Sequence, residues 1–181
     1  MNRFILVTLS FFVTLFAIAQ DYKPVDESSK VYFSVKNFGI NTGGTLSGLK
    51  GSVLFDPVNL TTSNFDVSVD VKTIDTDIEN RDEHLRGDRY FDAEKYPLIV
   101  IRSIKINSNT AKMGEYYFTG TLTMHSITKN ISFPFTATPR GDDYLFSGHF
   151  EINRLDFSVG EPSSVLGKTV KVSLSVLAKK S

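Results

Sequence analysis

The chain has 181 residues, 41% of them hydrophobic and 22% charged, with twenty basic and twenty acidic side chains. That length suits one domain with a sizeable core, and the balanced charge lacks the basic excess of a nucleic-acid binder. Having no cysteine excludes disulfides, thiolate metal sites, thiol nucleophiles and lipid attachment at a cysteine, while three histidines leave little for a histidine-rich metal site.

Residues 1–19 come first in chain order. Arg3 precedes an apolar run from Phe4 to Ile18, which ends in the small-residue site Ala17-Ile18-Ala19. This is the three-part pattern of a secretory signal peptide, with cleavage between Ala19 and Gln20. Read as a helix, Phe4 to Ile18 rises only about 22 Å. That is short of the roughly 30 Å hydrocarbon core a membrane anchor would have to cross. The expectation is an exported chain, periplasmic or secreted, with a net charge near −1 once Arg3 is lost.

From there the chain alternates. Asn64-Phe65-Asp66-Val67-Ser68-Val69-Asp70-Val71 and Thr169-Val170-Lys171-Val172-Ser173-Leu174-Ser175-Val176 are strict apolar/polar runs, each a strand with one buried face. Strand-like runs also occur near 30–36, 45–56, 98–106, 116–124, 130–138 and 144–154. Turn signals separate them: Asn41-Thr42-Gly43-Gly44, Asp56-Pro57, Asn107-Ser108-Asn109 and Arg140-Gly141-Asp142-Asp143. About eight strands at short intervals predict an all-β, antiparallel barrel or sandwich in one domain, residues 20–181.

One stretch breaks the rhythm. Residues 76–86, followed by Gly87, predict a short helix: Thr76 and Glu79 have capping-box spacing, acids crowd the first turn, and glycine is a natural stop. Tyr90 to Pro97 then reads as a turn. On that helix Ile78, Arg81 and Leu85 share a face, and Asp82 and Arg86 are spaced for an exposed pair. Arg81 is thus the charged residue expected over the core. It would serve either as a structural clamp or as a partner for a ligand headgroup; the same alternatives hold for His84 and Arg154. His125 reads as an exposed hairpin residue and His149 as a sheet-surface one.

The chain carries fifteen Phe and seven Tyr but no Trp. Rings recur on the apolar faces at Phe33, Phe55, Phe65, Phe118, Phe133, Phe135, Phe146 and Phe150. A barrel of this size either fills its interior with such side chains or holds one small ligand there. Gly51, Gly120 and Gly148 interrupt the same faces and either leave volume unfilled or let the strand bend.

The stretch Arg81-Asp82-Glu83-His84-Leu85-Arg86-Gly87-Asp88-Arg89-Tyr90-Phe91-Asp92 resembles the YceI-like periplasmic proteins, lipocalin-like barrels that bind polyisoprenoids. Ser34-Val35-Lys36-Asn37-Phe38-Gly39, Tyr96-Pro97, Gly120 to Lys129 and Asn153-Arg154-Leu155-Asp156-Phe157 agree in order and spacing, so the resemblance covers the whole chain after residue 19. Two positions depart from it: Asn37 stands where many members have histidine, and Ser126 where glycine is usual in a hairpin turn. The resemblance implies an antiparallel eight-stranded lipocalin-like barrel with one short helical insertion. It would enclose an apolar tunnel for a non-covalently held isoprenoid lipid, a quinone tail or polyprenyl chain, with no other cofactor.

The implied ligand contacts, chosen on alternation, are Phe33, Val35, Phe38, Leu46, Val53, Phe55, Phe118, Leu122, Met124, Phe133, Phe135, Phe146, Phe150 and Phe157, with Arg81, His84 and Arg154 as polar candidates. Thr76 to Asp92 holds six acids and three arginines. That balance of −3 favours a neutral, quinone-like headgroup over a diphosphate. Such a lipid would be loaded from a membrane or a membrane protein. An exposed sheet edge could also pair two copies.

Catalysis is not expected. No nucleophile elbow, phosphate loop or zinc-ligand spacing is present, and Asp82 and His84, two apart on a helix, do not face each other. The alternatives are a small lyase or isomerase acting on a bound apolar substrate, and a structural β-domain with a filled core.

Overall fold

The computed structural model describes residues 20–181. The expected export segment, residues 1–19, lies outside the described residues. Side chains at i and i+2 share a strand face, so alternating runs make long strands with one buried side. In chain order these are β1 (Gln20–Pro24), β2 (Lys30–Asn37), β3 (Ile40–Phe55), β4 (Asn64–Asp75), β5 (Leu98–Ser108), β6 (Glu115–Met124), β7 (Ile127–Arg140), β8 (Asp143–Asn153) and β9 (Leu166–Lys180), with helix α1 (Glu79–Arg86) between β4 and β5.

All pairings are antiparallel. The sheet runs β3-β2-β9-β8-β7-β6-β5-β4, and β4 pairs back to β3, which closes the barrel. Nine strands make eight barrel positions because β1 and β2 share one. Both lie between β3 and β9, with β2 against the first half of β3 and β1 against Val53–Phe55. The detour between them is tied down. The Asp26 carboxylate accepts from the Gly48 and Leu49 amides at 3.0 and 2.8 Å, and the Ser29 hydroxyl donates to the Val25 carbonyl at 2.7 Å. β1 has no counterpart among the predicted strands, being five residues long and ending in proline.

The other departures also have local causes. β3 begins at Ile40, not near 45, because Gly43 and Gly44 are strand residues rather than a turn. A side chain at Gly43 would run into Tyr32, and one at Gly44 would lie 2.8 Å from the Phe33 ring. These glycines accommodate rings from the neighbouring strand, and the turn falls instead at Phe38-Gly39, both at positive φ. α1 begins three residues late, capped at Ile78 with no side-chain hydrogen bond. Thr76 is no cap: its hydroxyl and amide both bond the Asp82 carboxylate. Asp82 is therefore buried, 3% exposed, rather than paired on the surface with Arg86, whose partner is Glu79 at 3.2 Å.

The hairpin turn at His125-Ser126 places both residues at positive φ. It is a tight left-handed turn made without glycine, in keeping with the twist of its strands. His125 is half-buried, not exposed, its ring edge-on to Tyr96 at 4.8 Å. His149 is exposed on the sheet as read.

The two ends of the barrel differ. One carries the β2–β3 turn, the α1 insertion, the β6–β7 turn and the β8–β9 loop. At the other, β1 and a cluster of rings fill the interior. Phe55 lies edge-on to Tyr116, Tyr144 and Phe146 at 5.2–5.3 Å, and Phe65 touches Phe135 and Phe146 at 5.6 and 5.4 Å.

Candidate functional site

The end bearing α1 opens into a cavity of about 500 Å³, inside the usual range for ligand sites. Its wall is aliphatic. Val31 and Val35 come from β2, Leu46 and Leu49 from β3, Val67 and Val69 from β4, Ile99 and Ile101 from β5, and Val170, Val172, Leu174 and Val176 from β9. Leu122, Met124, Ile152, Val159 and Leu166 add to it, with Phe33, Tyr90, Phe91 and Phe150 as its rings; β7 contributes no wall residue.

Ser68 on β4 apart, the polar lining residues gather at the mouth: Asn37, Thr42, Thr76, Asn80, Arg81, His84 and Arg154. α1 delivers several because its Ile78, Arg81, His84 and Leu85 face the opening, as the helical spacing predicts. Arg81 is held by its own chain: Nε donates to the Thr76 hydroxyl at 2.8 Å and Nη2 to the Thr76 carbonyl at 2.7 Å. Since Thr76 in turn binds Asp82, one hydroxyl links a half-buried cation to a buried anion, and each neutralises the other across it.

Arg154 is 5% exposed and has no carboxylate partner among the described residues. It donates instead to the carbonyls of Gly167, Val159 and Glu161 at 3.0, 2.7 and 2.7 Å. Burial pulls its guanidinium below the ordinary arginine range, with the nearby Tyr90 opposing. With a longer contact to the Leu166 carbonyl at 3.4 Å, four carbonyl acceptors suit the guanidinium fork, so this side chain staples the β8–β9 loop beside the mouth.

Of the residues expected to contact ligand, Phe33, Val35, Leu46, Leu122, Met124, Phe150, Arg81, His84 and Arg154 line the cavity. Val53, Phe55, Phe118, Phe133, Phe135, Phe146 and Phe157 do not. They are buried core, because rings packed on rings leave no room between them. Gly120 and Gly148 correct the expectation of unfilled volume: a Cβ at Gly120 would lie 2.6 Å from the Phe118 ring, and one at Gly148 would lie 3.1 Å from Phe133. The glycine space is taken up by those rings. Phe38 is outside altogether, 74% exposed at the tip of the β2–β3 hairpin.

Sequence reasoning missed most of the aliphatic wall. The signal was present in Val170, Val172, Leu174 and Val176, four short side chains on one face of an alternating strand. A wall of valines on a barrel interior leaves the volume that rings would have filled.

Comparison with known proteins agrees with this architecture. The YceI-like domain matches residues 22–178. A protein of Yersinia pestis named UPF0312 protein is 27% identical over 170 residues, which is 88% of this chain and 86% of that one. The structure of Burkholderia cenocepacia BcnA superposes with a TM-score of 0.79 at 25% identity, covering 84% of this chain and 98% of that one. A polyisoprenoid binding domain from Saccharophagus degradans, implicated in plant cell wall breakdown, superposes with a TM-score of 0.71 at 15% identity, covering 88% and 98%.

Proposed function

The chain belongs to the YceI-like family, and on that footing we propose that it holds an isoprenoid lipid in its cavity, tail inward and headgroup at the mouth, as a carrier or buffer rather than an enzyme. The observation that carries the reading is the division of the wall: mostly aliphatic along its length, with its polar side chains, Ser68 apart, gathered at one end. An isoprenoid has the same division.

The energetics are compatible. Burying a five-carbon unit contributes about 3–4 kcal/mol gross at roughly 0.8 kcal/mol per methylene, while association costs on the order of 4–15 kcal/mol. Several units must therefore enter before binding is tight, which calls for an elongated chamber. The structural roles of Arg81 and Arg154 suit a headgroup that is recognised loosely. The acid excess of residues 76–92 disfavours a diphosphate, so a neutral quinone-type headgroup is the finer reading. The export pattern of residues 1–19 makes the periplasm or the exterior the place of action, with a membrane as the source of the lipid.

Native mass spectrometry of protein purified from its own host, followed by organic extraction, tests this. A quinone-type isoprenoid near one-to-one stoichiometry is expected. Dominant polyprenyl diphosphate would sink the headgroup assignment. Protein that is empty, and stays empty after incubation with quinone-bearing vesicles, would sink the function.

A further inference from the structure

Three exposed apolar side chains stand together at the mouth. Phe38 and Ile40, 74% and 71% exposed, flank the tip of the β2–β3 hairpin, and Val165, 39% exposed, begins the return into β9. The Phe38 amide donates to the Val165 carbonyl at 2.9 Å, which joins hairpin and loop into one surface. Phe38 sits at φ 49°, a conformation that bulky residues rarely adopt. The tight two-residue turn between β2 and β3 calls for that conformation, and neither the core nor the cavity uses the ring it leaves exposed.

The patch leads into the cavity. Ile40 has the parity of Thr42, a mouth residue, and Phe38 follows Asn37, another; Leu166, next to Val165, lines the wall. Two exposed lysines flank it: Lys36 on β2, and Lys168 beyond Gly167, which packs against Lys36. Neither forms an ion pair among the described residues. The acids of the mouth, Asp77, Glu79 and Glu83, belong to the α1 segment between β4 and β5. The β8–β9 segment adds two exposed acids, Asp156, which accepts from the Asn153 side chain at 3.1 Å, and Glu161.

We propose that the Phe38-Ile40-Val165 patch, with Lys36 and Lys168, docks the mouth onto an anionic phospholipid bilayer, so that the lipid ligand passes from membrane to cavity without crossing water. Apolar side chains ringed by cations are the chemistry of interfacial attachment. This rests on the isoprenoid reading for its purpose but not for its test.

Flotation with phosphatidylglycerol vesicles and phosphatidylcholine vesicles measures docking directly. Binding to phosphatidylglycerol is expected, weakening as salt rises. Lys36→Glu or Lys168→Glu should each reduce it about fivefold or more, and Phe38→Ser with Ile40→Ser about tenfold or more. The exposed sites leave the fold intact, which circular dichroism checks. Uptake of a fluorescent isoprenoid should slow in the Phe38→Ser/Ile40→Ser protein when the donor is a vesicle and stay unchanged when it is a detergent micelle. Equal flotation of wild type and variants, equal binding to both vesicle types, or self-association that Phe38→Ser abolishes in place of vesicle binding would each overturn the proposal. Vesicle binding with no isoprenoid uptake from any donor would uphold the docking surface and defeat the function proposed above.

Discussion

Under β6, β7 and β8 the interior is a column of rings: Phe118 stacks on Phe133 at 4.9 Å, and Phe133 on Phe150 at 4.7 Å. Under β9, β2 and the middle of β4 the same inward alternation is mostly valine and leucine, with Phe33 the ring on β2, and the space between the walls is open. Both regions come from period-two strands with an apolar face. They differ in side-chain size, and that difference separates stability from binding. Planar rings interlock to the density of a solid core, whereas branched aliphatic stubs on a curved wall cannot meet across it. Phe150 belongs to both regions, being the one ring of this stack that reaches the cavity.

The contrast predicts unequal costs for truncation. Phe118→Ala should lose about 3–5 kcal/mol, because it leaves a void inside the ring column. Val172→Ala should lose less than about 1 kcal/mol, since its methyls already face open space. Urea unfolding of the pair measures both, and equal losses would break the distinction.

Arg154→Met comes next, at about 3 kcal/mol, because the carbonyls of Gly167, Val159 and Glu161 lose their donor. Proteolysis within residues 158–165 should rise in the same variant as the loop comes loose, and an unchanged cleavage rate would mean that the loop does not depend on its staple.

Phe150→Ala sharpens the boundary between the regions. It should shift the preferred isoprenoid length upward by roughly one unit, a phenyl ring and an isoprene unit being alike in size. Leu122→Phe, which fills the wall, should shift it downward. Competition among prenyl chains of graded length reads the shift, and no movement in either variant would separate Phe150 from the cavity floor.

The smallest effect is alkaline. Burial raises the phenols of Tyr22 and Tyr116 above their ordinary value of 10.0. Below about pH 10 both are protonated in folded and unfolded chains alike, so they add no pH dependence there. Above it the unfolded chain releases protons that the folded chain retains, and stability falls as pH rises. Tyr22→Phe should flatten part of that decline in denaturation curves taken on either side of pH 10, while cavity variants should leave it unchanged.

How much of this was legible in the sequence varies with the kind of interaction. Alternation at 64–71 and 169–176 identified β4 and β9 and which side of each is buried, because strand periodicity is a local property. The i, i+3, i+4 spacing put Ile78, Arg81 and Leu85 on one face for the same reason, and the structure sets that face at the cavity mouth. Phe38 lies outside the cavity because alternation stops at a turn, and a tip residue has no inside. Phe55, Phe118, Phe133, Phe135 and Phe146 face inward as alternation predicts, but they pack in the core and do not line the cavity. Facing inward is fixed by the strand; touching a void depends on what the opposite wall contributes.

Local spacing and residue type are enough for eight of the nine strands, their buried faces, the helical interruption and the family resemblance. The rest depends on tertiary packing. Barrel closure brought β9 against β2 and β4 back to β3, set rings against rings at one end, and left valines facing valines at the other. It turned Thr76 from a helix cap into a bridge between Arg81 and Asp82, and it gave Arg154 four carbonyls in place of a carboxylate. Those outcomes depend on residues far apart in the chain, whose separation no local pattern records.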